Sequence, residues 1–212
     1  MAKRRIKKKA KIIIVSLLLL VITAVAISST LYYFWWLDQQ PQENVIFDDA
    51  YGVPVITELI PEGTRARQGI KRRIKYIVIH ETDNFASSAG AKNHSQFLLT
   101  NPDGNSWHYT VDENEIYHHV PDNEIALHAG DSEGNKYGIG IEICVNKGAD
   151  YEKAVENTAK LTARLLKAYD LPISAVKQHY DFNGKDCPHR LRLDDHMDEF
   201  LELVKKYLDE NH

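Results

Sequence analysis

The chain has 212 residues, enough for one domain of ordinary size and additional segments. Its formal charge of −4 conceals a division: taking the seven cations of residues 1–11 from the total of 26 leaves 19 against 30 acidic residues, a net of −11. A remainder so acidic has the wrong sign for a nucleic-acid-binding domain, and two cysteines are too few for a secreted disulfide scaffold.

The seven cations are Lys3, Arg4, Arg5, Lys7, Lys8, Lys9 and Lys11, and no acid precedes Asp38. Residues 12–37 carry no charge at all. At about 1.5 Å per residue, Ile12 to Leu31 alone spans a hydrocarbon core of roughly 30 Å. Tyr32, Tyr33, Phe34, Trp35 and Trp36 follow, and such rings gather at a membrane–water boundary. The positive-inside rule puts residues 1–11 in the cytoplasm and everything after the span outside. A cleaved signal peptide is the competing reading, because Ala24-Val25-Ala26 resembles a small-residue cleavage site. The uncleaved anchor is preferred because the apolar run continues past that site.

Residues 38–52 begin polar, with Gln39, Gln40, Pro41, Gln42 and Glu43, and read as a linker. Residues 53–212 form the folded domain. The cations Arg65, Arg67, Lys71, Arg72, Arg73 and Lys75 read as a solvated face before the first strand, with contact to an acidic wall polymer as the outside reading. Tyr76 to Ile79 is an apolar run ending at His80, the pattern of a buried strand. A helix is predicted over Ala89 to Leu99. Trp107 to Val111 and Glu115 to Val120 flank Asp112-Glu113-Asn114 as a hairpin. Gly138 to Val145 and Val176 to His179 are further strands. Helical spacing marks Tyr151 to Tyr169, stopped by Leu171-Pro172, and Asp194 to Leu208. Strands mixed with helices predict an α/β fold, a mixed central sheet flanked by helices.

His80 and His179 both end strands, and Cys187 follows His179 by eight residues. Zinc accepts imidazole nitrogen and thiolate sulfur, and three protein ligands leave a fourth position open for chemistry. Spacing alone leaves this undecided, since a histidine at a strand end is often only hydrogen-bonded.

Five segments in order add to it: Tyr76-Ile77-Val78-Ile79-His80-Glu81-Thr82, Ser106-Trp107-His108-Tyr109-Thr110-Val111, Ala126-Leu127-His128-Ala129-Gly130, Gly138-Ile139-Gly140-Ile141-Glu142-Ile143-Cys144, and Gln178-His179 through Cys187-Pro188. Together they resemble the N-acetylmuramoyl-L-alanine amidases, in particular the zinc-dependent endolysin and autolysin branch, related to the peptidoglycan recognition proteins. The resemblance runs from about Pro54 to Arg192. It implies a peptidoglycan hydrolase cutting between N-acetylmuramic acid and L-alanine, with Zn2+ held by His80, His179 and Cys187. It implies Glu142 as acid/base and Lys185 as the cation that stabilises the oxyanion. A carboxylate in so apolar a strand is costly unless it faces a site or partner; a strand-edge glutamate facing solvent is the alternative.

His128 matches a groove-lining histidine that contacts substrate, or else orients a ligand. Trp107 falls where some relatives carry a tyrosine implicated in catalysis. An indole cannot exchange protons in that way, which leaves Glu142 as the acid/base; Trp107 is expected to bind substrate. His94 reads as packing near the site, His118 and His119 as surface or groove residues, and His189, His196 and His212 as incidental. Cys144 reads as a small buried apolar residue. Peptidoglycan is the expected partner, together with the membrane through the N-terminal helix. The rival readings are an inactive peptidoglycan-binding module, in which a ligand is usually replaced, and a zinc peptidase acting within the stem peptide.

Overall fold

The computed structural model describes residues 2–130, 132–193 and 196–210. His212 and the first two residues expected of the last helix lie outside them. The chain divides into two compact units, Met1–Gln40 and Pro41–His212.

The first unit is one long helix, α1 (Ala2–Asp38). Within it Lys11–Leu37 is long and apolar enough to cross a membrane, at 27 residues and a mean hydropathy of 2.8, and none of its hydropathy peak is buried. Its exposed face includes Ile12 to Leu20 and the aromatic cluster Tyr32 to Trp36.

The second unit is built on a seven-stranded mixed sheet. In chain order the strands are β1 (Asp49–Ala50), β2 (Val53–Thr57), β3 (Tyr76–Glu81), β4 (Tyr109–Val111), β5 (Ile116–His118), β6 (Gly138–Ile143) and β7 (Val176–Gln178). Their order in space is β1-β2-β5-β4-β6-β3-β7. The β4–β5 hairpin is antiparallel, while β4, β6, β3 and β7 run parallel. β1 and β2 meet through Tyr51-Gly52, both with positive φ (51° and 87°), the geometry a two-residue hairpin turn requires.

Side-chain alternation gives the sheet two unlike faces. Ile77, Ile79, Tyr109, Val111, Ile116, Ile139, Ile141 and Ile143 point into the main core. There they meet α4 (Tyr151–Ala168) through Leu161, Leu165 and Leu166, and α7 (His196–Glu210) through Phe200 and Val204. α4 starts where the Asp150 carboxylate accepts from the Lys153 N–H. It ends one residue short of the predicted Tyr169, and Asp170 then turns left-handed at φ 51°. α2 (Ala91–Thr100) covers part of the opposite face through Ala91, which packs with Tyr117, Cys144 and Ile56. The rest of that face carries His80 and Glu142. α3 (Ser132–Tyr137), α5 (Tyr180–Asn183) and α6 (His189–Arg192) are short turns of helix around it.

Two expectations from sequence are revised. The segment read as a linker is fastened to the domain from Gln42 onward. Gln42 Oε1 accepts from Ile74 N at 2.7 Å, Asn44 Oδ1 accepts from Asp122 N at 2.7 Å, Val45 N donates to the Tyr169 hydroxyl at 3.0 Å, and Phe47 is buried. The cations before β3 are not all solvated. Arg72 is buried and donates to the carbonyls of Glu124 (3.0 Å), Tyr137 (3.4 Å) and Gly138 (3.0 Å). Those carbonyls replace the water that an exposed guanidinium would keep.

Candidate active site

Sheet register sets four side chains of the candidate site in one row. His80 on β3 lies opposite Glu142 on β6, and Glu142 lies opposite Thr110 on β4. On the other flank, Ile79 pairs with Gln178, so His179 emerges beside His80. Residues in register on neighbouring strands share a face, here the face away from the main core.

His80, His179 and Cys187 are all buried, and their ligand atoms lie within 4.8 Å of one another. His80 Nδ1 is 3.0 Å from His179 Nδ1 and 3.8 Å from Cys187 Sγ. Tetrahedral zinc with Zn–N near 2.0 Å and Zn–S near 2.3 Å would separate its ligands by roughly 3.3–3.8 Å. The trio suits such an ion in donor type, and the separations from His80 Nδ1, 3.0 and 3.8 Å, lie near that range.

The free lone pair of His80 follows from its neighbours. Gly138 O can only accept, so His128 Nε2, 3.1 Å away, must donate to it. Burial holds the pKa of His128 down to about 3, so the ring is neutral and its Nδ1 accepts. His80 Nε2 lies 3.0 Å from that Nδ1 and donates to it, which leaves His80 Nδ1 unprotonated and facing His179 and Cys187. His128 can lie this close to β6 only because Gly140 has no side chain: a Cβ there would sit 2.7 Å from the imidazole. Arg72 shares the Gly138 acceptor, so a buried cation anchors the far end of the chain of contacts.

Cys187 is placed by a loop that Glu81 holds. One Glu81 carboxylate oxygen accepts from Arg190 N at 3.0 Å, and the other accepts from the Tyr151 hydroxyl. The Arg190 guanidinium lies 3.4 Å from the centre of the Tyr151 ring. Burial pushes the Cys187 thiol up to about 12, against the opposing pull of the Glu81 backbone. Both cysteines are free. Asn183 braces the other ligand, donating to Ala129 O at 2.9 Å with the same nitrogen that lies 3.0 Å from His179 Nε2.

Glu142 lies next to this trio, with Oε1 4.0 Å from His80 Nδ1. Its Oε2 is buried and makes no hydrogen bond to a described residue. Burial pushes its carboxyl up to about 8 against the opposing pull of the Lys185 charge. Together with His128, His179, Lys185, Arg65 and Trp107 it lines a cleft of about 490 Å³. A second depression of about 350 Å³ adjoins it and shares Trp107 as a wall, with His94 and Phe97 beyond. The Trp107 indole is aimed by its N–H to Thr110 Oγ1 (2.7 Å), and that hydroxyl lies 2.9 Å from His119 Nε2.

The structure thus brings together His80, His179, Cys187, Glu142, Lys185, His128 and Trp107. His118 and His119, expected at the surface or in the groove, are buried. His94 packs on α2, and His189 is exposed and paired with Asp186 at 2.7 Å. His196 is exposed, with its Nδ1 3.4 Å from Arg190 O. Four residues escaped sequence reasoning: Arg72, Glu81, Thr110 and Asn183. Only Asn183 carried a readable signal, its i+4 spacing from His179 on one helical face.

Residues 70–190 match the sequence family described as Amidase_2: N-acetylmuramoyl-L-alanine amidase. The chain is 40% identical over 155 residues to N-acetylmuramoyl-L-alanine amidase CwlH of Bacillus subtilis (strain 168), covering 72% of this chain and 61% of that one. It is 42% identical over 141 residues to N-acetylmuramoyl-L-alanine amidase XlyA of the same organism, covering 66% and 48% respectively. It thus spans between about half and three fifths of these relatives' lengths. The solved structure of the catalytic domain of XlyA superposes with a TM-score of 0.68 at 40% identity, over 72% of this chain and 99% of that domain.

Proposed function

The chain belongs to the N-acetylmuramoyl-L-alanine amidase family, and from that premise we propose that it hydrolyses the amide between N-acetylmuramic acid and the L-alanine that begins the peptidoglycan stem. The observation that carries the reading is a buried His80–His179–Cys187 donor set beside Glu142, which lines a cleft together with His179 and whose buried Oε2 makes no hydrogen bond to a described residue.

His80, His179 and Cys187 would hold a zinc ion. When bound, that ion would supply a Lewis acid for an amide carbonyl that is otherwise a poor electrophile. The remaining work falls to the chain's own groups. Glu142 takes a proton from the attacking water at its carboxylate and returns one to the departing alanine nitrogen. Lys185, two residues before Cys187, places an ammonium where negative charge develops on the carbonyl oxygen. His128 holds the His80 ring in the tautomer and orientation that metal binding needs. Trp107 walls the cleft against the stem or glycan.

The domain boundaries and cellular address belong to the same proposal. Residues 1–11 remain cytoplasmic, 12–37 anchor the protein in the membrane, and the hydrolase faces the wall from outside. The apolar helix and its cationic leader support this reading.

The test is a digest of purified peptidoglycan by the zinc-loaded protein, with the new termini identified by mass spectrometry. Free L-alanine amines paired with muramic lactyl carboxylates are expected. New termini within the stem would make the protein a peptidase. An absence of new termini would leave it a binding module.

A further inference from the structure

Of the six cations between Arg65 and Lys75, Arg65 alone lines the catalytic cleft. The residues around it are tied down. Ala66 is buried and its N–H donates to Pro102 O at 2.8 Å. Arg67 N donates to Thr64 Oγ1 at 3.1 Å, and the Arg67 guanidinium binds both Glu124 oxygens (2.8 and 3.2 Å) and Ile60 O (3.0 Å). Arg65 itself is exposed and makes no hydrogen bond or ion pair with a described residue. A braced loop therefore places on the cleft's lining an exposed arginine that has no partner among the described residues.

The cleft's charge runs against that of its domain. Residues 12–212 carry a net −11, yet the described cleft lining holds two cations, Arg65 and Lys185, against one carboxylate, Glu142. A concave site of locally reversed sign focuses its field on an anionic ligand. The stem peptide offers one near the scissile bond. Its second residue, about 7 Å of extended chain from the scissile bond, is a glutamate linked through its side chain, whose backbone carboxylate is either free or converted to an amide. A guanidinium presents a planar donor fork that matches a carboxylate and finds no counter-charge in a carboxamide.

Resting on the amidase reading, we infer that Arg65 is a specificity-determining residue that binds the free carboxylate of the second stem residue, so that stems bearing it are cut in preference to amidated ones.

The experiment uses two soluble N-acetylmuramoyl tripeptides that differ only in that carboxylate or carboxamide, with the full zinc-loaded protein. The ratio of their kcat/KM values is expected to favour the free acid by about 3- to 10-fold, the scale of a partly screened charged pair. It should shrink as salt rises from 0.1 to 1 M, because screening shortens from about 10 Å to about 3 Å. Arg65→Gln should bring the ratio close to one, and Arg65→Lys should keep part of it because the charge remains. An equal ratio in the unmodified protein and Arg65→Gln, or a ratio indifferent to salt, overturns the inference while leaving the amidase reading intact. Failure to cut either tripeptide, or any peptidoglycan, overturns both.

Discussion

The imidazole of His128 stands between His80 and the carbonyl of Gly138, 3.0 Å from the first and 3.1 Å from the second, with both ring nitrogens committed. It lines the cleft, yet its hydrogen bonds are spent on orienting His80 rather than on substrate. His128→Ala should therefore act first on the metal. Loss of a contact that orients a ligand typically lowers metal affinity by about 10- to 100-fold. Competition against a graded series of chelators reads this directly, and unchanged zinc affinity would show that His80 needs no such support.

Gly140→Ala tests the same contact from the other side. The added Cβ would meet the His128 ring at 2.7 to 2.9 Å, and the ring cannot swing away without breaking one of its two hydrogen bonds. Overpacking of this kind costs about 1–3 kcal/mol. A loss of stability by denaturant titration, together with weaker zinc binding, is the expected pair of results. Stability and zinc affinity equal to those of the parent would mean that the strand yields instead.

Glu142→Gln and Lys185→Ala should separate binding from chemistry. Neither residue is proposed as a ligand, so both variants should retain zinc. Removing the proton acceptor should lower turnover on a soluble muropeptide by about 10²- to 10⁴-fold. Removing the ammonium should lower turnover by about 10²- to 10³-fold with a smaller change in affinity. Near-normal turnover in zinc-loaded Glu142→Gln would remove it from the acid/base role, and loss of zinc in either variant would make that residue a ligand.

Acid stability should report on Glu124, a carboxylate almost without solvent access, contacted by Arg67 at 2.8 Å and Lys71 at 2.9 Å. Burial raises its pKa, but the hydrogen bonds and charges of Arg67 and Lys71 outweigh burial and leave it below the usual carboxylate value. A group whose pKa falls on folding adds stability above its unfolded pKa and loses it as pH drops through the folded one. Glu124→Gln should cost about 1–3 kcal/mol near neutrality and less at the acid end, where the parent carboxylate is itself protonated. A deficit that stays constant between pH 7 and pH 3 would mean the ion pairs contribute nothing.

Tyr169→Phe should loosen the strap that runs from Gln42 to Phe47. The Tyr169 hydroxyl donates to the buried Asp122 at 2.7 Å and accepts from Val45 N at 3.0 Å, so its removal leaves both without that partner. A cost of about 1–3 kcal/mol is expected, together with faster hydrogen exchange at Val45. Unaltered exchange there would mean the buried Phe47 holds the segment by itself.

Much of this protein is decided by short-range pattern, and that part was readable in advance. An uncharged run after a cationic leader defines the apolar helix, because membrane compatibility depends on composition and length alone. Period-two alternation sorts Ile139, Ile141 and Ile143 from Gly138, Gly140 and Glu142, because successive strand residues face opposite sides. The order of motifs around His80, Glu142, His179 and Cys187 indicates the donor set before any fold is known. Arg72 shows where local reading stops. Among six cations in eleven residues it looks solvated, yet it is buried on carbonyls supplied by Glu124, Tyr137 and Gly138, more than fifty residues away along the chain. His118 and His119 read as surface or groove residues for the same reason, since nothing near them in the chain announces what covers the hairpin. The strap misled because its polar side chains and backbone groups are spent on Ile74, Asp122, Asn123 and Tyr169. Periodicity by itself determined which faces had to be buried, and the motifs that resemble the amidases implied which groups do the chemistry. Which polar groups leave water, and which distant carbonyl or hydroxyl replaces it, was decided only by tertiary structure, because the cost of burying a charge depends on partners that sequence neighbours do not supply.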